Sequence, residues 1–245
     1  MSDPTAALDA IGQLDDSEID LADAALQLAR IERPDADWQS ASQHLSAIAQ
    51  QAVAEGNNIA LDNIAAQAEL LATLIAGQHG YHGDPARYEE PGNANLLHVI
   101  ERRRGLPVAL GIIWLHAINA NGWAGHGINF PGHFLIALTD QRPSGRRQVI
   151  IDVFAGGTPL SVPELRTMVK AVEGESAQLR PTLLRPMSNR DVLLRLQNNV
   201  ASRQRAAGHL TATLATLQNM LRLAPTGDRA RETQSQIHTL RSRLN

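Results

Sequence analysis

Two residues in this chain have the types and surroundings needed for proton chemistry. His133 lies in the run Pro131-Gly132-His133-Phe134, and Asp152 lies in Ile151-Asp152-Val153-Phe154-Ala155-Gly156-Gly157. Each sits at an end of an apolar, β-branched stretch that reads as a strand. A hairpin joining the two stretches would bring residues 19 apart opposite each other. A carboxylate that orients an imidazole makes a general base. The same pair, buried, is a hydrogen bond that fixes a hairpin, with Gly132 allowing close approach. A third reading keeps the pair in a cleft that binds a ligand or peptide. There are no cysteines among the 245 residues, which excludes disulfides, thiolate zinc sites, iron–sulfur clusters and a cysteine nucleophile.

The other candidates are less specific. Nine histidines raise the question of a metal, with His79 and His82, or His116, His126 and His133 with Asp152, as the sets to consider. None forms a motif such as H-E-x-x-H, so neither a metal nor a cofactor is expected. The basic run Arg102, Arg103 and Arg104 reads as a helix end, with Arg103 tying down carbonyls of the neighbouring glycine-rich loop. A formal net charge of −3 with mixed signs gives no basic field and no recognition helix for nucleic acid. The longest apolar region, 106–118, is interrupted by Pro107, Gly111 and His116 and is too short to span a membrane. The opening residues lack the basic and apolar regions of a signal peptide, so a soluble, cytoplasmic protein is expected.

The elements that must position these residues follow from periodicity. Helices are expected over 17–32, with Ser17 as N-cap, and over 37–55 and 61–79, giving a helical bundle in the first third. Residues 80–95 are dense in Gly, Pro and Asn and read as an ordered loop. A short helix over 94–104 ends at Gly105. Pro107 then opens a helix to residue 121 that is apolar on nearly every side and must be buried. Strands are expected at 127–130, 133–138 and 148–153, with a polar turn over 140–147. A helix that begins at Thr158 or Ser161 then includes 164–172, followed by a helical pair at 189–206 and 208–223 and a last helix at 228–244. With hydrophobic residues at 43% and aromatics at 3%, the core must be aliphatic.

One segment carries a family resemblance. Asn93 and Leu96, the turn Arg103-Arg104-Gly105-Leu106-Pro107, the Pro131-Gly132-His133-Phe134 run and Asp152, Phe154, Gly156 and Gly157 closely resemble the bacterial SirB family. Leu28-Ala29-Arg30, Pro34 and the loop 80–88 are also similar to it. That resemblance implies an α+β, mostly helical, transglutaminase-like (papain-like) core at 81–185, with a small antiparallel sheet. An N-terminal helical region at 1–80 and tetratricopeptide-like helices at 186–245 flank it. Active members of the wider class place a cysteine at the start of the buried helix, with histidine and aspartate on the following strands. Here that helix begins Gly105, Leu106, Pro107, Val108, with no Cys, Ser or Thr. The resemblance thus implies a non-catalytic interaction or regulatory module with a protein or peptide partner. A cysteine-independent hydrolase, with His133 and Asp152 activating water and Asn93 or Arg104 assisting, is the alternative.

Overall fold

The computed structural model describes residues 3–140 and 147–242. The buried helix expected from the sequence is its axis. It is α6 in a chain order that begins α1 Pro4–Ile11, α2 Leu21–Glu32, α3 Trp38–Gly56, α4 Ile64–Leu71 and α5 Leu96–Arg102. Helix α6 spans Pro107–Ala120, and every residue from Pro107 to Leu115 is buried. Proline at its first position forfeits only an N–H that would have no partner inside the helix.

After α6 come β3 Gly125–Phe130, β4 His133–Thr139, β5 Gln148–Asp152 and β6 Thr158–Pro159, antiparallel in that order. Two short strands upstream, β1 His82–Gly83 and β2 Arg104–Gly105, pair in parallel. Strand β4 is buried on both faces. Phe134, Ile136 and Leu138 join the main core around α6, whereas Leu135 and Ala137 join a second cluster with Leu165 and Val169 of α7 (Val162–Glu173). That two-sided burial explains why the strand reads as a continuous apolar run rather than an alternating one. Pro131 and Gly132 form the two-residue turn between β3 and β4, with Gly132 at φ +67°.

The chain ends with α8 Asn189–Ala206, α9 Leu210–Leu223 and α10 Gly227–Arg241. The main hydrophobic cluster runs from Leu8 to Leu240, so the first helices, the sheet and the last helices share one interior. The architecture is α+β and mostly helical, with ten α-helices among the described residues.

Three local readings change. Helix α2 is capped by Asp20, whose carboxylate accepts from the Ala22 and Asp23 amides, not by Ser17. Residues 16–18 form a 3₁₀ turn, and Asp16 accepts from the Asn189 and Arg190 amides, anchoring the start of α8 at 2.9 Å. The helix expected over 61–79 starts at Ile64 behind the Asn63 cap and widens into a π-helix over Ala72–Gln78. Helix α1 had no counterpart in the expected elements: Asp3 caps it and Pro4 opens it. The polar turn expected over 140–147 falls mostly on residues 141–146, outside the described residues.

Candidate functional site

His133 and Asp152 meet. Nε2 of His133 lies 2.9 Å from Oδ1 of Asp152, with 17% and 15% of the two side chains exposed. They are not directly opposite, as the spacing had implied. The β4–β5 register pairs Ile136 with Ile151, so Leu135 falls beside Asp152 and His133 reaches it along a diagonal. Oδ1 of Asp152 also accepts the Phe154 amide at 2.9 Å and the Ala155 amide at 3.3 Å, an Asx-type turn closing onto its own side chain. An ionised carboxylate only accepts, so Nε2 of His133 is the donor and, in the neutral ring, Nδ1 carries the lone pair. Among the described residues Nδ1 has no hydrogen-bond partner.

The turn after Asp152 holds this geometry. The Gly157 amide returns to the Asp152 carbonyl at 2.8 Å, with Gly156 at φ +77° and Gly157 at φ +87°. A Cβ on Gly157 would stand 2.1 Å from the buried Trp114 ring on α6. Phe154 projects from the turn with its ring edge-on to His133 at 6.1 Å and to Tyr88 at 5.8 Å. Its carbonyl accepts the Gly83 amide at 3.0 Å, which ties the 80s loop to the site. Phe134 packs beneath, against Gly111 of α6 and Gly127 of β3.

The other sequence-singled residues frame the site from a distance. Asn93 is buried; its amide donates to the Arg87 carbonyl at 2.6 Å and accepts from Arg102 at 3.0 Å. Its carbonyl takes the Leu106 amide at the head of α6. Arg103 adopts φ +58° at the end of α5. Its guanidinium lies 4.8 Å over the Tyr81 ring and bonds the Tyr81 hydroxyl and Nε2 of His44. Arg104 donates to the Gly80 and Arg103 carbonyls, both at 2.8 Å. Gly105 lies against Val99, and Pro107 opens α6. Burial, and then the Arg103 and His79 charges, hold the His44 imidazole down at about 4. Burial pushes the Tyr81 phenol up to about 12 against the pull of Arg103.

The histidines considered for a metal do not converge: among the described residues no three His, Asp or Glu side chains could hold an ion. His79 bonds Gln51 at 3.0 Å and stacks edge-on against His44.

Residues from α8 complete the neighbourhood. Arg195 donates to the His133 carbonyl at 2.6 Å and lies over the Phe134 ring, and Arg203 lies over Tyr88. Reading along the sequence missed Tyr88, Arg195 and Arg203. Arg195 is 62 residues from His133, with no motif linking the two, and only packing of the last helices against the hairpin brings them together.

A buried helix that leads into an antiparallel sheet, with a histidine at the head of one strand and an aspartate ending the next, is the layout of a transglutaminase-like protein. Residues 39–198 match the transglutaminase-like superfamily, and the chain belongs to it. The UPF0162 protein of Xylella fastidiosa (strain 9a5c) is 31% identical over 195 residues, covering 78% of this chain and 67% of that protein. The UPF0162 protein of Pseudomonas aeruginosa is 26% identical over 180 residues, 73% of this chain and 64% of that relative. That of Vibrio cholerae is 30% identical over 128 residues, 52% of this chain and 46% of the relative. The chain therefore spans about two thirds of the longer-matching relatives. No solved structure matches it. No helix among the described residues is long and apolar enough to cross a membrane.

Proposed function

We propose that this chain is a non-catalytic, SirB-like member of the transglutaminase-like class that works as an interaction module, binding a protein or peptide partner beside the His133/Asp152 hairpin. One observation carries the reading. The histidine and aspartate remain assembled, yet the helix that should present the nucleophile opens with Leu106, Pro107 and Val108, all buried. Without a thiol or hydroxyl there is no atom to form a covalent acyl intermediate, and loss of a nucleophile removes most of a triad's rate enhancement. With the Asx-type turn, the hydrogen bond to Asp152 gives the pair a structural role that needs no reaction.

A second reading rests on a separate observation: among the described residues Nδ1 of His133 has no hydrogen-bond partner, and the ring is part-exposed. An imidazole fixed through Nε2 and open at Nδ1 is oriented to take a proton from water. Complete burial would have removed this alternative, and the ring is not completely buried.

One pair of measurements separates them. Hydrolysis of activated esters and of glutamine peptides is followed for the wild type and for His133→Gln, and the His133 ring signal is followed by NMR as peptides are added. The interaction reading expects equal, background turnover in both proteins and a ring signal that moves with a peptide. Turnover that drops about a hundredfold or more in His133→Gln, the scale of general-base catalysis, overturns it in favour of the hydrolase.

A further inference from the structure

Outside the His133/Asp152 pair, a cleft of about 490 Å³ opens between the sheet edge at Asn129, the segment 182–187, and helices α8 and α10. This is the size range of sites for small ligands and short peptide segments. Its charge is distinctive. Arg185, Arg195 and Arg229 face one carboxylate, Asp191, so the lining carries +3 against −1, a net of +2. The chain as a whole carries −3.

The arginines differ in how they are satisfied. Arg229 is paired with Asp191 at 2.9 Å. Arg195 is half-buried, and among the described residues the one hydrogen bond of its guanidinium goes to a neutral main-chain carbonyl, that of His133. Burial lowers its pKa, and among the described residues it has no carboxylate partner. Arg185, exposed on the facing segment, has none either. Buried charges are normally paired, because an unpaired one loses hydration without compensation. A half-buried guanidinium with free donors, in a cleft whose other wall offers a second unpaired arginine, is arranged for an anion from outside.

The rest of the lining narrows the class. Asn129, Asn198 and Thr182 supply neutral donors and acceptors suited to peptide groups, and Leu183, Pro186, Met187 and Leu194 supply apolar wall. A nucleic acid backbone needs a longer basic track than one cleft in an acidic protein. Resting on the interaction reading above, we infer that this cleft binds a short acidic peptide segment, its carboxylates held by Arg195 and Arg185. Because Arg195 also holds the His133 carbonyl, occupancy of the cleft is transmitted directly to the hairpin.

The test measures fluorescence anisotropy of a labelled Glu-rich hexapeptide and of its Gln counterpart with the full chain, at low and high salt. Competition with inorganic phosphate and the variants Arg195→Gln and Arg185→Gln complete the set. The Glu peptide is expected to bind about tenfold or more tightly than the Gln peptide, as for one charged hydrogen bond gained, and to weaken with salt. Arg195→Gln should weaken it by about tenfold and Arg185→Gln by about threefold. Arg185 is exposed, so its variant reports on binding even where Arg195→Gln loosens the hairpin. Equal affinity for the two peptides, indifference to both substitutions, or phosphate binding as tightly as the Glu peptide overturns the inference. A Gln peptide that binds and moves the His133 signal while the Glu peptide does not overturns it too, leaving the interaction reading intact. Silence from both peptides overturns the inference and leaves the interaction reading to the turnover and NMR measurements above.

Discussion

Gly157→Ala tests whether the turn after Asp152, and with it the placement of His133, is set by contact with α6. Two penalties apply. At φ +87° an alanine sits in the left-handed region, which costs about 1–2 kcal/mol. Its Cβ would also stand 2.1 Å from Cη2 of Trp114 and within 3.0 Å of two further ring carbons. Trp114 is fully buried, so the ring cannot swing away without disturbing its neighbours, and such overpacking costs about 1–3 kcal/mol. The combined loss is about 2–5 kcal/mol. Gly122→Ala is the matched control: φ is +65° and nothing lies within 4 Å of the added Cβ, so only the backbone penalty of about 1–2 kcal/mol applies. Urea denaturation of both variants gives the two losses, and the slope of the transition checks that the unfolded state is unchanged. The His133 ring signal should shift in Gly157→Ala and stay in place in Gly122→Ala, since only the former moves the Asp152 turn. Equal losses for the two variants, within about 0.5 kcal/mol, would refute the claim that Trp114 fixes this turn.

Asp20→Ala should destabilise the protein by about 1 kcal/mol through loss of the α2 cap, while Ser17→Ala should be neutral, both read from urea midpoints. Arg102→Met should cost about 2 kcal/mol, because it removes the 2.7 Å bond to the poorly exposed Asp84 and the 3.0 Å bond to Asn93; calorimetric unfolding measures it. His44 sits among Arg103, His79 and Tyr81, and its folded pKa of about 4 lies below the ordinary 6.5. The unfolded chain therefore binds the proton first. This residue's contribution to stability is complete above pH 6.5 and is lost as pH falls toward 4. Stability measured across that window should fall less steeply in His44→Gln than in the wild type.

Most of the chain order of elements was legible where an element has a local cause, whereas α1 and the two-residue strands β1, β2 and β6 were not. Pro107 opens a helix with no polar face, Asp37 caps another, and Pro131-Gly132 turns one strand into the next. The absence of a nucleophile needed only the letters at 105–110. The pairing of His133 with Asp152 was foreseen through hairpin spacing and family resemblance, but its diagonal geometry was not, since register depends on how both faces of β4 are buried. Ser17 looked like a cap because it precedes an apolar run. Asp16 was drawn instead into the start of α8, across 173 residues, and the helix began four residues later. Arg195 and Arg203 had no signal at all, because an arginine on a helix face reads the same whether it meets solvent or a cleft, and Tyr88 was read only as the end of the loop 80–88. The sequence by itself determined what chemistry is impossible here and which residues sit at strand ends, because those depend on side-chain type and local backbone preference. Only the tertiary structure decided what surrounds His133 and where an unpaired arginine is buried, because burial and long-range contact are properties of the packed chain.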